Sequence, residues 1–175
     1  MPEKSTDFRA AILRLAEADV RYVLIGGLAM IVRGASHITT DIDICYDRTN
    51  VAPLLGVLND SHARLRGEPA DLPFILDSQT FKNVLNLTLD TDIGDMDLLA
   101  EPDGIDSFEG LWQRAEDMEL YGVIVRVASI DDLISMKSAA GRQKDKQHLL
   151  ELQDLKRMLA EDEAGSRDGT SQGDA

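Results

Sequence analysis

The sequence predicts an α/β fold built as one domain, on three observations. Short apolar runs that read as strands are interspersed with segments that read as helices. The strands fall in the first two-thirds of the chain and helices close it. The chain opens on a strand–helix–strand unit, "RYVLIG", "GLAMIVRG" and "DIDICY". A length of 175 residues and a hydrophobic fraction of 43% suit a single domain with a real core. We place that domain at residues 1–160, with residues 161–175 as a disordered acidic tail.

The elements follow in order. Residues 1–5 read as frayed, and Ser5 or Thr6 is expected to cap a first helix carrying Phe8, Ile12, Leu13 and Leu15. "RYVLIG" is a short apolar run bounded by glycine, hence a buried strand. "GLAMIVRG" is a short helix ended by Gly34. "DIDICY" alternates and is β-branched, so it is a strand. "TNVAPLLGVLND" is a helix capped by Thr49 or Asn50, with Pro53 in its first turn. Gly67, Pro69 and Pro73 make Ser61–Gln79 a loop with short pieces of structure. "VLNLTLDT" and "DMDLLA" are two strands joined near Gly94, and "SFEGLWQRAE" is a helix capped by Ser107. "MELYGVIVRVA" is a hairpin turning at Gly122. Ser129 to Ala140 is a helix whose capping box pairs Ser129 with Asp132. A last helix runs from about Gln143 to Ala160.

Composition narrows the function. The net charge of −14 argues against non-specific nucleic-acid binding by the whole surface. A local basic island remains in Lys137, Arg142, Lys144, Lys146, Lys156 and Arg157. No apolar run is long enough for a membrane span, and the charged N-terminus does not read as a signal peptide. The single cysteine, Cys45, excludes an internal disulfide and fits a reducing cytoplasm.

The chemistry gathers around "DID". Residues two apart on a strand share a face, so Asp41 and Asp43 project together with Cα atoms roughly 6.5–7 Å apart. Ile42 and Ile44 then point into the core. Two such carboxylates repel, and one stays protonated unless a cation relieves them. Carboxylate oxygens suit magnesium or manganese. Charges that keep an edge strand from aggregating are the plainer alternative. A calcium loop is excluded, since Cys45 and Tyr46 stand where an oxygen ligand and a glycine are required.

Gly26-Gly27 lies between strand and helix, where glycine lets backbone N–H groups approach a phosphate. It belongs to neither a Walker A loop nor a dinucleotide fingerprint, and a plain tight turn is the alternative. "IGDMDLLA" supplies a third carboxylate. Asp97, flanked by Met96, Leu98 and Leu99, is hard to explain as loop solvation, whereas Asp90, Asp92 and Asp95 read as solvating a turn. Lys137 sits amid Leu133, Ile134, Met136, Ala139 and Ala140, where a charge needs a reason. Its structural alternative is pairing with a buried acid, Asp132 or Asp145. Lys144, Lys146, Lys156 and Arg157 read mostly as a solvated helical face, His62 and His148 as structural, Trp112 and Phe108 as core, and Cys45 as a small buried hydrophobe.

The ordered set "IGGLAMIVRG…TTDIDI…GDMDLL" resembles the nucleotidyltransferase fold of the polymerase-beta-like superfamily over roughly residues 8–157. The ending "LISMKSAAGRQKDKQHLLEL" is similar to bacterial toxin-type nucleotidyltransferases of the AbiEii and MenT kind, where a helix lysine precedes an Arg-x-Lys-Asp segment. The resemblance implies a small mixed β-sheet flanked by helices, with C-terminal helices. It implies transfer of a nucleoside monophosphate from an NTP to a hydroxyl, with Mg2+ or Mn2+ as cofactor. It places the metal on Asp41, Asp43 and Asp97, with Asp97 as base. Gly26 and Gly27 would cradle the triphosphate, with Lys137, Arg142, Lys144 and Asp145 as further nucleotide contacts. The acceptor it implies is an RNA 3′ end, such as that of tRNA, or a protein, and the partner a cognate antitoxin. An antibiotic acceptor or a non-catalytic binding module are the alternatives. Two positions depart from the pattern: Gly27 stands where serine is frequent, and His37 where many relatives have arginine.

Overall fold

The computed structural model describes residues 5–69 and 71–168. The element order is α1 (Phe8–Glu17), β1 (Tyr22–Ile25), α2 (Gly26–Val32), β2 (Asp41–Tyr46), α3 (Ala52–Asp60), β3 (Arg64–Leu65), α4 (Ser78–Asn83), β4 (Asn86–Thr91), β5 (Gly94–Leu99), α5 (Phe108–Arg114), β6 (Glu116–Leu120), β7 (Val123–Val127), α6 (Ile130–Ala140) and α7 (Asp145–Asp168). The strands form one seven-stranded sheet in the order β3-β4-β5-β2-β1-β7-β6. It is mixed: β2 runs parallel to β5 and β1 parallel to β7, while the other neighbours are antiparallel. The fold is the α/β arrangement that the motifs implied.

Local chemistry explains most of the elements. All four residues of β1 are buried, as a central strand with an apolar run requires. In β2 and β5 the pleat sends Ile42, Ile44, Met96 and Leu98 to the core, each at 0% exposure. Their neighbours on the opposite face are the aspartates. Helices α1 and α3 add Ile12, Leu15, Leu54 and Leu58 to the same buried cluster, each worth about 1.5–3 kcal/mol of burial. The β6–β7 hairpin turns on Tyr121 and Gly122, both at positive φ (55° and 85°), the primed geometry that matches strand twist.

Several ends differ from expectation. The cap of α1 is Asp7, which accepts from the Ala10 N–H at 2.9 Å. Thr6 is buried instead: its hydroxyl donates to the Thr40 carbonyl and accepts from the Asp95 N–H. That bond ties the chain start to the ends of both aspartate strands, a long-range role that outweighs capping. Gly94, at φ +118°, passes so close that a Cβ there would lie 2.4 Å from the Thr6 Cα. Helix α3 starts at Ala52 with Val51 at its cap position and so has no side-chain cap, while the Thr49 N–H and hydroxyl both donate to Asp47. In α6, Ser129 accepts from the Asp132 N–H, and its hydroxyl donates to the Asp132 carboxylate, which also receives Arg114. Helix α7 continues to Asp168, beyond the expected end at Ala160. Glu161 there lies 3.7 Å from Arg157 one turn back, a favourable spacing on an otherwise solvated helix. The rest of the expected tail, residues 169–175, and residues 1–4 of the expected frayed start lie outside the described residues.

Candidate active site

Parallel pairing of β2 and β5 builds the acidic centre. The register sets Asp43 opposite Asp97 and Asp41 opposite Asp95. Alternation puts all four on one face. One carboxylate oxygen from each of Asp41, Asp43 and Asp97 lies within 4.8 Å of the others. The spacing of the first pair was legible in the sequence; the arrival of Asp97 beside it depends on a strand more than fifty residues later.

The electrostatics are those of unrelieved repulsion. Burial, then the charges of Asp41 and Asp97, push the Asp43 carboxyl up to about 7, against the opposing pull of the Gly27 N–H and Lys137. Burial likewise raises Asp97, with Asp41 and Asp95 adding to it and Arg66 opposing. The Thr39 hydroxyl donates to Asp41 Oδ1 at 3.0 Å and orients it.

The Gly-Gly turn is shaped around this centre. Gly26 has φ +65°, and a Cβ there would lie 2.0 Å from Asp43 Oδ2. A Cβ at Gly27 would lie 2.6 Å from the Thr39 hydroxyl and 3.2 Å from His37 Nε2. Two glycines are therefore required by the approach of Asp43, Thr39 and His37, and a serine at 27 has no space without moving Thr39. Gly26→Ala combines a disfavoured φ with displacement of Asp43. We expect it to cost about 1–3 kcal/mol of stability in urea denaturation and to remove most transfer activity, measured as pyrophosphate release. Full activity in Gly26→Ala would separate the turn from the acidic centre.

Both glycines and the three aspartates open on a cavity of about 710 Å³. Further lining comes from α6, the α6–α7 connection and the start of α7: Lys137, Arg142, Lys144 and His148, with apolar Leu133 and Met136. Acid and base thus share one space.

Lys137 has the pairing that the structural alternative foresaw. Its Nζ is 3.1 Å from Asp145 Oδ1, and Arg142 Nε is 2.8 Å from Asp145 Oδ2. Asp145 is fully buried. Burial opposes its ionisation, but hydrogen bonds from Arg142 and Lys137 outweigh this and hold its carboxyl below the usual range. Asp145 does not line the cavity; it accepts from Lys137 and Arg142, both of which do.

Sequence reasoning missed three residues. Arg66 Nη2 lies 2.9 Å from Asp97 Oδ1, and its Nε 3.1 Å from Asp95 Oδ2. Asp95 is thus paired rather than merely solvating a turn. The Arg66 segment carried no periodic signal. Thr39 was visible only as a neighbour of the aspartate pair. His148, read as structural, lines the cavity with its ring 4.8 Å from that of His37. Other readings hold. His62 contacts Asp92 away from the cavity. Trp112 and Phe108 pack against the core beneath Arg21. Cys45 is buried, its thiol pushed up to about 12 by that burial.

Comparison with known proteins agrees with this geometry. A profile of the family described as "Nucleotidyltransferase of unknown function (DUF6036)" matches residues 5–159. Among solved structures, the chain is similar to the lincosamide antibiotic adenylyltransferase LnuA with lincomycin bound, at TM-score 0.58 and 14% identity over 87% of this chain and 99% of that one. It is also similar to the antibiotic-resistance factor ANT(2'')-Ia, at TM-score 0.50 and 14% identity over 93% and 94%. At that identity the likeness is one of fold. No curated protein matches the sequence.

Proposed function

The chain belongs to the nucleotidyltransferase family DUF6036, and from that premise we propose that it moves a nucleoside monophosphate from an NTP to a hydroxyl, releasing pyrophosphate. The observation that carries this is the meeting of Asp41, Asp43 and Asp97 within 4.8 Å in a cavity also lined by Lys137, Arg142 and Lys144.

The donor set fits a hard divalent cation. It is all carboxylate, half-buried, and destabilised by its own charge, which is the chemistry that Mg2+ or Mn2+ relieves. Such a cation supplies a lowered pKa at the acceptor hydroxyl and charge neutralisation at the leaving pyrophosphate. Asp41, held by Thr39, and Asp43, held by the Gly27 N–H, are the ligands set before substrate arrives. Asp97 takes the acceptor proton. Gly26 and Gly27 leave room for the triphosphate to approach. Lys137, Arg142 and Lys144 take its charge, with Asp145 holding the first two in place. Leu133 and Met136 offer apolar surface in the same cavity.

The toxin-type ending favours an RNA 3′ end, such as tRNA, or a protein hydroxyl as acceptor, and a toxin restrained by a cognate antitoxin as cellular role. A single, buried cysteine, Cys45, suits a cytoplasmic setting. Among the described residues no helix is long and apolar enough to cross a membrane. A small hydroxylated antibiotic is the second reading, favoured by the excess of acidic residues and by a fold shared with an antibiotic adenylyltransferase and an antibiotic-resistance factor. One experiment separates them. The protein is incubated with magnesium and each α-labelled NTP, alone and with total tRNA, cell lysate, or a lincosamide and an aminoglycoside. We expect one NTP to leave label on one acceptor. Absence of label and of pyrophosphate in every arm would leave a non-catalytic module that keeps the fold.

A further inference from the structure

The basic wall holds a feature that the acidic centre does not use. His37 comes from the segment between α2 and β2, and His148 from the first turns of α7, with ring centroids 4.8 Å apart. Both ring nitrogens of His37 and Nδ1 of His148 are buried without a hydrogen-bond partner. The nearest carboxylate, Glu151, is 3.9 Å from His37 Nδ1, beyond hydrogen-bonding reach. Glu151 is instead engaged by the Ser36 N–H. Buried ring nitrogens almost always find a partner, from protein, water or ligand. Here the protein supplies none, and both rings open on the cavity.

The surroundings define the partner. Lys137 from α6, and Arg142 and Lys144 from the α6–α7 connection, share the wall. Asp145 is already occupied by Lys137 and Arg142. Asp41 and Asp43 line the same cavity and are held by Thr39 and the Gly27 N–H. A ligand for the imidazoles must therefore be rich in acceptor oxygens and negative charge. We propose that His37 and His148 form a joint site for the β- and γ-phosphates of the nucleotide and that His148 takes up a proton as the polyphosphate enters. The inference rests on the nucleotidyltransferase reading and deepens it.

The linkage has a definite sign. In the free protein, burial first, then the charges of Lys137 and His37, keep the His148 pKa below its ordinary value, against Asp145 and Glu151. The neutral ring is the resting form. A polyphosphate beside it adds negative charge and acceptors, so the protonated form gains.

The chain has three histidines, which makes the test direct. Imidazole signals of 15N-histidine-labelled protein are followed against pH, with and without saturating inorganic pyrophosphate and magnesium. His62→Gln and His148→Gln assign the signals, and His62 serves as internal control. We expect the pKa of His148 to rise by about one on binding, with the His37 signals perturbed and the His62 signals unchanged. His37→Gln and His148→Gln should each weaken pyrophosphate binding at pH 6.5 by at least about tenfold. The wild-type titration decides even where a variant fails to fold. Pyrophosphate binding and normal nucleotide transfer with the His148 imidazole unresponsive, or with full affinity in His37→Gln, would overturn the joint site alone. Failure of both pyrophosphate binding and nucleotide consumption would overturn the nucleotidyltransferase reading with it.

Discussion

Asp41→Asn with Asp43→Asn is expected to abolish nucleotide transfer while making the metal-free protein more stable above neutral pH. Activity should fall by at least about 10³-fold, the scale on which removing one preorganised charge-stabilising group registers. Stability should move the other way. The folded protein holds the Asp43 proton up to about pH 7, whereas the unfolded chain releases it near 3.8. A raised carboxyl pKa contributes stability that is present below the unfolded value and lost as pH rises to the folded one. The wild-type protein, free of metal, should therefore lose about 4 kcal/mol between roughly pH 4 and pH 7 from this group. Urea denaturation at pH 5 and pH 8 reads that slope directly. The double variant should lack it and be the more stable protein at pH 8. Magnesium or manganese with NTP should raise the wild-type melting temperature, a saturation of about 100 Kd giving about 2.7 kcal/mol. The variant should show no such response. A shift that survives in the variant would place the cation elsewhere. A flat wild-type pH profile would remove the repulsion on which the site is argued.

The second large effect is expected at Asp145, a residue that touches no substrate in our reading. It is buried and receives both Lys137 and Arg142. Asp145→Ala strands a lysine whose side chain is 14% exposed, and loss of one partner of a buried pair costs about 3–5 kcal/mol. Lys137→Met is the informative contrast. It keeps most of the stem, and Asp145 still has Arg142 at 2.8 Å. We expect it to lose about 1–3 kcal/mol, to fold, to bind NTP more weakly and to lose most transfer activity. Asp145→Asn keeps the shape and one acceptor, and should lie between the two in stability. Calorimetric NTP titration and urea denaturation on all three variants separate the roles. Wild-type activity in Lys137→Met would confine Lys137 to the fold and withdraw the basic wall from catalysis. Near-normal stability in Asp145→Ala would mean that the ion pair contributes little.

Legibility followed the range of the physics. "DIDICY" declares its strand and its two-faced pattern within six residues, because the pleat period is local. Ser107 and Ser129 declare their helix starts for the same reason. Thr6 misled, since a threonine before a helix looks like a cap until Thr40 and Asp95 claim its hydroxyl. Arg66 was silent, because nothing in "RLRGEP" says that a guanidinium will reach two aspartates on another strand. His148 looked structural on a charged helix, and only the packing of α7 against the segment between α2 and β2 sets its ring against His37.

By itself the sequence determined the α/β character, the shared face of Asp41 and Asp43, the exceptional status of Asp97 and Lys137, and the glycine turn, since each depends on neighbours a few bonds away. Only the tertiary structure decided which strand lies beside β2, in what register, and hence that Asp97 rather than Asp95 completes the centre. It also decided that Asp145 is buried against Lys137 and Arg142, and that Gly27 is short of space rather than short of a hydroxyl. These are contacts between segments separated by tens of residues, selected by the burial of one shared core, and no local preference encodes them.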